Sequence, residues 1–131
     1  MKKVIVFGTF DIVHPGHIHM LKEAREYGDY LVVIIARDDT VYSVKGRKPK
    51  NNEEQRLRDI KDLNIADNVR LGRIDDKYEV IVEEKPDIVA LGYDQKEFVD
   101  NLAKAVEPHV QIVRLAPYMP EKYKSSLMKQ N

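Results

Sequence analysis

Residues 3–36 leave this chain few folds to choose from. Residues 3–7 (KVIVF) are a short, nearly all-apolar run rich in β-branched side chains, the pattern of a strand covered on both faces. Gly8 stops it. Pro15 stands where a first helical residue belongs, because its missing N–H would lack a partner there anyway. Ile18, Leu21 and Ala24 then recur at helical spacing, and Gly28 ends the run. Residues 30–36 (YLVVIIA) read as a second buried strand. Strand, tight turn, helix and strand in so short a span make a βαβ unit, whose strands pair in parallel through a right-handed crossover.

The pattern continues along the chain. Residues 37–52, including VKGRKPKNN, form a polar, strongly basic connector, long enough to read as a functional loop. Asn52 with Gln55 three residues on resembles a capping box, and Leu57, Ile60 and Leu63 mark one face of the helix it opens. Residues 69–71 suit a short edge strand, 78–84 a helix closed by Pro86, and 87–91 (DIVAL) a buried strand ending at Gly92. Phe98, Leu102 and Val106 space a further helix, 110–115 supply a last strand, and the polar tail ends in a short helix starting near Ser125. Five strands alternating with helices predict an α/β fold: a doubly wound, Rossmann-like, open parallel five-stranded sheet, in one domain over residues 1–131.

Composition narrows the partners. Lys+Arg and Asp+Glu are both 22, so no net field draws the chain to nucleic acid or to a membrane surface. The absence of cysteine excludes disulfides and thiolate metal sites. No stretch approaches the roughly 18 apolar residues of a membrane span, and no signal peptide precedes the first strand. The expectation is a soluble, cytoplasmic domain with no nucleic-acid or membrane partner.

In such a sheet, ligands bind beyond the carboxyl ends of the strands, where the strand order reverses. The strands ending at Gly8 and Gly92 are expected to flank that crevice, their glycines letting backbone and ligand approach closely. After Gly8 come Thr9, Phe10 and the run His14-Pro15-Gly16-His17. The amides of Gly16, His17 and Ile18 are expected to point out of the helix N-terminus towards an anion. Both imidazoles can face the same pocket, and two donors on one anionic group suit the charge of a transferring phosphoryl. The bland reading is that His14 caps the helix and His17 packs against the sheet. Lys45, Arg47 and Lys48 form a basic cluster, which alone would be read as a solvated loop but gains weight beside a phosphate turn.

Residues 8–17, GTFDIVHPGH, resemble the signature of the cytidylyltransferase-like nucleotidyltransferases, in its G-T-F-D-x-x-H-x-G-H form, and the similarity runs from Val4 to the Ser-Ser tail. The resemblance implies in-line attack by an acceptor's phosphate on the α-phosphorus of a nucleoside triphosphate, with pyrophosphate leaving and no covalent enzyme intermediate. It implies that His14 and His17 stabilise charge at the α-phosphate, and that Thr9, Phe10, Pro15 and Gly16 line the nucleotide site. A divalent cation, Mg²⁺ or Co²⁺, would be bound mainly through the nucleotide phosphates. Lys45, or Lys48 in its place, would contact the transferred phosphate or the acceptor. Arg56 in EEQR resembles the family arginine that reaches into the site; its bland alternative is a surface salt bridge. Asp94 in GYDQ matches a position near the base or ribose, although it could equally cap a helix. Ser125 and Ser126 in YKSSLM match hydroxyls that hold the terminal phosphates; Lys124 departs from that pattern, where a serine is usual. A homodimer is implied as well.

Within that family, HPGH, ARDDTVYSVKGRKP, EEQR and LGYDQ together are most similar to the archaeal-type FAD synthases, which adenylylate FMN with ATP. FMN would need a flat apolar slot, with Tyr42, Tyr78 or Tyr118 as its wall. Glycerol-3-phosphate cytidylyltransferases, which use CTP, share the histidine signature but usually carry G-D-D-W where this chain has Gly92-Tyr93-Asp94-Gln95. A sugar-phosphate adenylyltransferase is the third member reading. A non-enzymatic ATP-sensing module is the alternative from another class, and it would not need both histidines and the lysine loop.

Overall fold

The computed structural model describes residues 2–11, 13–72, 79–91 and 109–115, without the side chains of Val44 and Lys45. In chain order the elements are β1 (Lys3–Gly8), α1 (Pro15–Glu26), β2 (Tyr30–Ile35), α2 (Asp38–Lys45), α3 (Glu53–Lys61), β3 (Asn68–Leu71), α4 (Glu79–Glu84), β4 (Ile88–Leu91) and β5 (Gln111–Arg114). The strands form one five-stranded sheet in the order β3-β2-β1-β4-β5, with every pairing parallel. The strand order therefore reverses between β1 and β4, as the doubly wound reading requires.

Alternate residues explain the unbroken apolar runs. Val4 and Val6 of β1, with Leu31, Val33 and Ile35 of β2, pack under α1 and α3 through Leu21, Ala24 and Ile60. Ile5 and Phe7, with Val32, Ile34, Val89 and Leu91, form the opposite face with Val80 and Ile81 of α4. Both faces are covered, so neither strand face can afford polar side chains.

One expectation is corrected here. Residues 37–52 are not all connector: Asp38–Lys45 is an eight-residue helix, closed by Gly46 in the left-handed region at φ 75°. Asp38 and Asp39 in its first turn favour a helix N-terminus. The rest of its support is tertiary, because Arg37 donates to the Gly72 carbonyl at 2.7 Å and to Glu53 at 2.9 Å, while Glu53 also accepts from the Asp38 amide at 2.9 Å. The box at α3 is half made: Asn52 accepts from the Gln55 amide at 2.8 Å, whereas the Gln55 side chain turns to Asp59.

The N-terminal ends of the strands carry a repeated device. Asp29, Asp67 and Asp87 each stand one residue before a strand. Each donates its amide to a carbonyl of the neighbouring strand segment and accepts that same residue's N–H on its carboxylate. The pairs are Asp29 with Lys2 (2.8 and 2.9 Å), Asp67 with Leu31 (2.9 and 2.8 Å) and Asp87 with Lys3 (2.9 and 2.8 Å). Such two-point clasps fix which residue faces which, and a one-residue slip would move every side chain of the slipped strand to the opposite face, into a core shaped for other residues.

Candidate active site

At the carboxyl end of β1, by the reversal of strand order, the chain turns through Thr9–Phe10 into α1. His14 is the N-cap of α1, with extended backbone (φ −140°, ψ 172°), and its Nδ1 accepts from the Gly16 amide at 3.0 Å. His17, at the third helical position, accepts the His14 amide on its own Nδ1 at 3.3 Å, completing a reciprocal capping box built from two histidines. The rings stack, with centroids 3.9 Å apart and planes inclined by 29°.

This corrects the expected source of anion donors. The Gly16 amide is taken by His14 Nδ1, and the amides of His17 and Ile18 donate to the His14 carbonyl at 2.9 and 3.3 Å. The turn consumes its own backbone donors. What it presents instead follows from the tautomer: a neutral imidazole that accepts at Nδ1 must carry its proton at Nε2. No described residue accepts from Nε2 of His14 or His17. Capping does not compete with anion binding, since each ring caps with Nδ1 and keeps its Nε2–H without a partner among the described residues.

Electrostatics keep the rings in that state. Burial lowers the His14 pKa, and burial followed by the neighbouring His14 pushes His17 down to about 4. At neutral pH both are therefore neutral, Nδ1-accepting and Nε2-donating.

Phe10 sets the height of His17. Its backbone is left-handed at φ 53°, unusual for a residue with a Cβ, and its side chain is 3 % exposed. The Phe10 ring meets His17 edge-on at 5.1 Å between centroids and 72° between planes. A Cβ at Gly8 would lie 2.5 Å from this ring. Gly8 thus leaves room for the Phe10 ring, which packs into the core beside His17.

The remaining candidates fall in two groups. Thr9 lies in the turn with its carbonyl accepting from Arg56 Nη1 at 2.8 Å. Arg56, expected either in the site or at the surface, is fully buried and bound to protein. Lys45 is the last residue of α2, while Arg47 and Lys48 are exposed in the turn that follows. Tyr42, on α2, is also exposed. Asp94, Tyr118, Ser125 and Ser126, with Tyr78 and the Gly92-Tyr93 end of β4, lie outside the described residues.

Two residues missed in the sequence are brought here. Asp11 accepts from the Lys50 and Asn51 amides at 2.8 and 3.0 Å, fastening the basic turn to the β1–α1 turn, and Asp38 pairs with Arg56 at 2.7 Å. The available signal was an arginine in an apolar helix face, which needs a carboxylate partner. Among the described residues no group of three or more His, Cys, Asp or Glu could hold a metal ion.

The geometry can hold an anionic, charge-accumulating group against two neutral donors at a topological switch point. A solved structure, the lipopolysaccharide core biosynthesis protein from Thermoplasma volcanium, is 42 % identical, with a TM-score of 0.80 over 90 % of this chain and 98 % of its own. The FAD synthase of Methanolacinia petrolearia is 43 % identical over 99 % of this chain and 90 % of its own, and that of Pyrococcus horikoshii is 40 % identical over 97 % and 88 %. The cytidylyltransferase-like family model matches residues 5–131, from inside the first strand to the end of the tail. With that match over nearly its whole length, the chain belongs to the cytidylyltransferase-like family.

Proposed function

We propose that this chain transfers AMP from ATP to FMN, giving FAD and pyrophosphate. The observation that carries the reading is the pair of neutral imidazoles whose Nδ1 atoms are locked into the helix cap, leaving two Nε2–H donors for one phosphoryl group. The FMN phosphate oxygen bonds to the α-phosphorus as the bond to the bridging oxygen of pyrophosphate breaks. His14 and His17 donate to the oxygens on which charge grows, and being preorganised they need no rearrangement at that moment. Several FAD synthases at similar identity support the choice of acceptor.

Lys45 or Lys48 is assigned to the transferred or acceptor phosphate, Asp94 to the nucleoside, and Ser125 and Ser126 to the terminal phosphates. Mg²⁺ or Co²⁺ would neutralise charge on the triphosphate. The enzyme is expected to act in the cytoplasm as a homodimer, the latter checked by light scattering. A sugar-phosphate acceptor is the second reading, favoured by the name of the Thermoplasma volcanium protein.

Incubation with Mg²⁺ or Co²⁺, ATP or CTP, and FMN, glycerol 3-phosphate or a sugar phosphate separates these readings. FAD formed from FMN with ATP alone supports the proposal; CDP-glycerol or an ADP-sugar would overturn it. If no pyrophosphate is released with any of these acceptors, a nucleotide-binding module is left.

A further inference from the structure

Arg56 is buried with no exposed surface, the one charged residue in the core among those described. A guanidinium out of water must find acceptors, and each nitrogen finds one: Nη1 donates to the Thr9 carbonyl at 2.8 Å, Nε to the Asn51 carbonyl at 3.0 Å, and Nη2 to Asp38 at 2.7 Å. These three acceptors belong to three pieces: the turn after β1, the last residues before α3, and the start of α2. Asp11 closes the same junction from the other side by accepting from Lys50 and Asn51. The excursion that carries Lys45, Arg47 and Lys48 is therefore tied at its start to Arg56, which also holds Thr9, and at its finish directly to Asp11, both in the segment that leads to His14 and His17.

The geometry points to Arg56 as a positioning residue that touches no substrate and, through Asp38, Thr9 and Asn51, holds the basic excursion in fixed register with the two histidines. This rests on the adenylyltransferase reading for its catalytic consequence, but not for the tie itself. A lysine at this position keeps the charge, but its single nitrogen cannot stand in the three places that Nε, Nη1 and Nη2 occupy.

The test uses Arg56→Lys, Asp38→Asn and the double variant, with Asp38→Asn as the milder change because the Asp38 side chain is 32 % exposed. Native-state tryptic cleavage after Lys45 and Arg47 should rise at least about tenfold in each variant. The kcat for FAD formation should fall at least about tenfold while the Kd for ATP measured without FMN stays within about threefold, and the double variant should be no worse than the worse single. A tenfold loss of ATP affinity in Arg56→Lys at unchanged cleavage would overturn the proposal by making Arg56 a nucleotide ligand. A lower Tm with unchanged cleavage would overturn it too, as would faster cleavage with unchanged kcat. Should the unaltered protein make no FAD, the adenylyltransferase reading fails by itself, and the cleavage rates still decide whether Arg56 holds the excursion.

Discussion

Each imidazole in the α1 turn is asked for two things by two different atoms, and side chains that satisfy only one can separate them. Asparagine at position 14 keeps an acceptor for the Gly16 amide, and glutamine at position 17 can still reach back to the His14 amide, but neither places a donor where Nε2–H stood. We expect His14→Asn and His17→Gln to lose about 1 kcal/mol of stability or less, read by thermal melting, while turnover falls at least about a hundredfold, roughly 2.7 kcal/mol of transition-state stabilisation. The same turn gives the fold a pH dependence. His17 is held neutral in the folded state down to about pH 4, while in the unfolded chain it takes a proton near its ordinary 6.5. The unfolded state then binds more protons, so stability is full above pH 6.5 and declines as pH falls towards 4. Denaturant midpoints measured across that window should fall in the natural protein and fall less steeply in His17→Gln, where His14 alone still contributes. At Gly8, an added methyl meets the Phe10 ring, and Gly8→Ala should lower stability by about 1–3 kcal/mol. An unchanged midpoint would mean Phe10 yields freely.

Among the elements, the three central strands were legible from sequence because burial on both faces writes a continuous apolar run, and residues 30–36 or 87–91 can be little else. Helix α2 was not. Among the described side chains of DDTVYSVK Val41 is buried, and the contacts that hold the helix come from Arg37, Glu53 and Arg56, partners that local periodicity does not register. His14 and His17 were legible as a pair. That Gly8 serves Phe10 was not, since nothing local announces a left-handed phenylalanine. The aspartate clasps were equally silent, each needing a neighbour from another strand. Asp67 is the one whose loss should be easiest to read: its carboxylate holds both the Leu31 amide and the Arg25 guanidinium at 2.6 Å. The bond to Arg25, followed by that to Leu31, holds its pKa below the ordinary carboxylate value. The stability it lends is present above that ordinary value, near 3.9, and is lost as pH falls through the lowered one. Asp67→Ala should cost about 1–3 kcal/mol in urea titrations at pH 7, and much less at a pH low enough to protonate the carboxylate.

For the whole molecule, the two ends of the sheet have separate duties. The carboxyl end carries the histidine turn and the tied basic excursion, while the three clasps sit at the opposite end and touch none of it. Their spacing along the chain has a kinetic meaning. The clasp between Lys2 and Asp29 closes 27 residues, inside the first βαβ unit, whereas that between Lys3 and Asp87 closes 84. A shorter loop loses less entropy on closing and is available earlier to a folding nucleus. In chevron measurements, Asp29→Ala should therefore slow folding more than it hastens unfolding, and Asp87→Ala should act mainly on the unfolding limb. The reverse pattern would place the nucleus across β1 and β4. If the expectation holds, the two aspartates, alike in geometry at either side of one strand, mark the beginning and the end of the route to the native sheet.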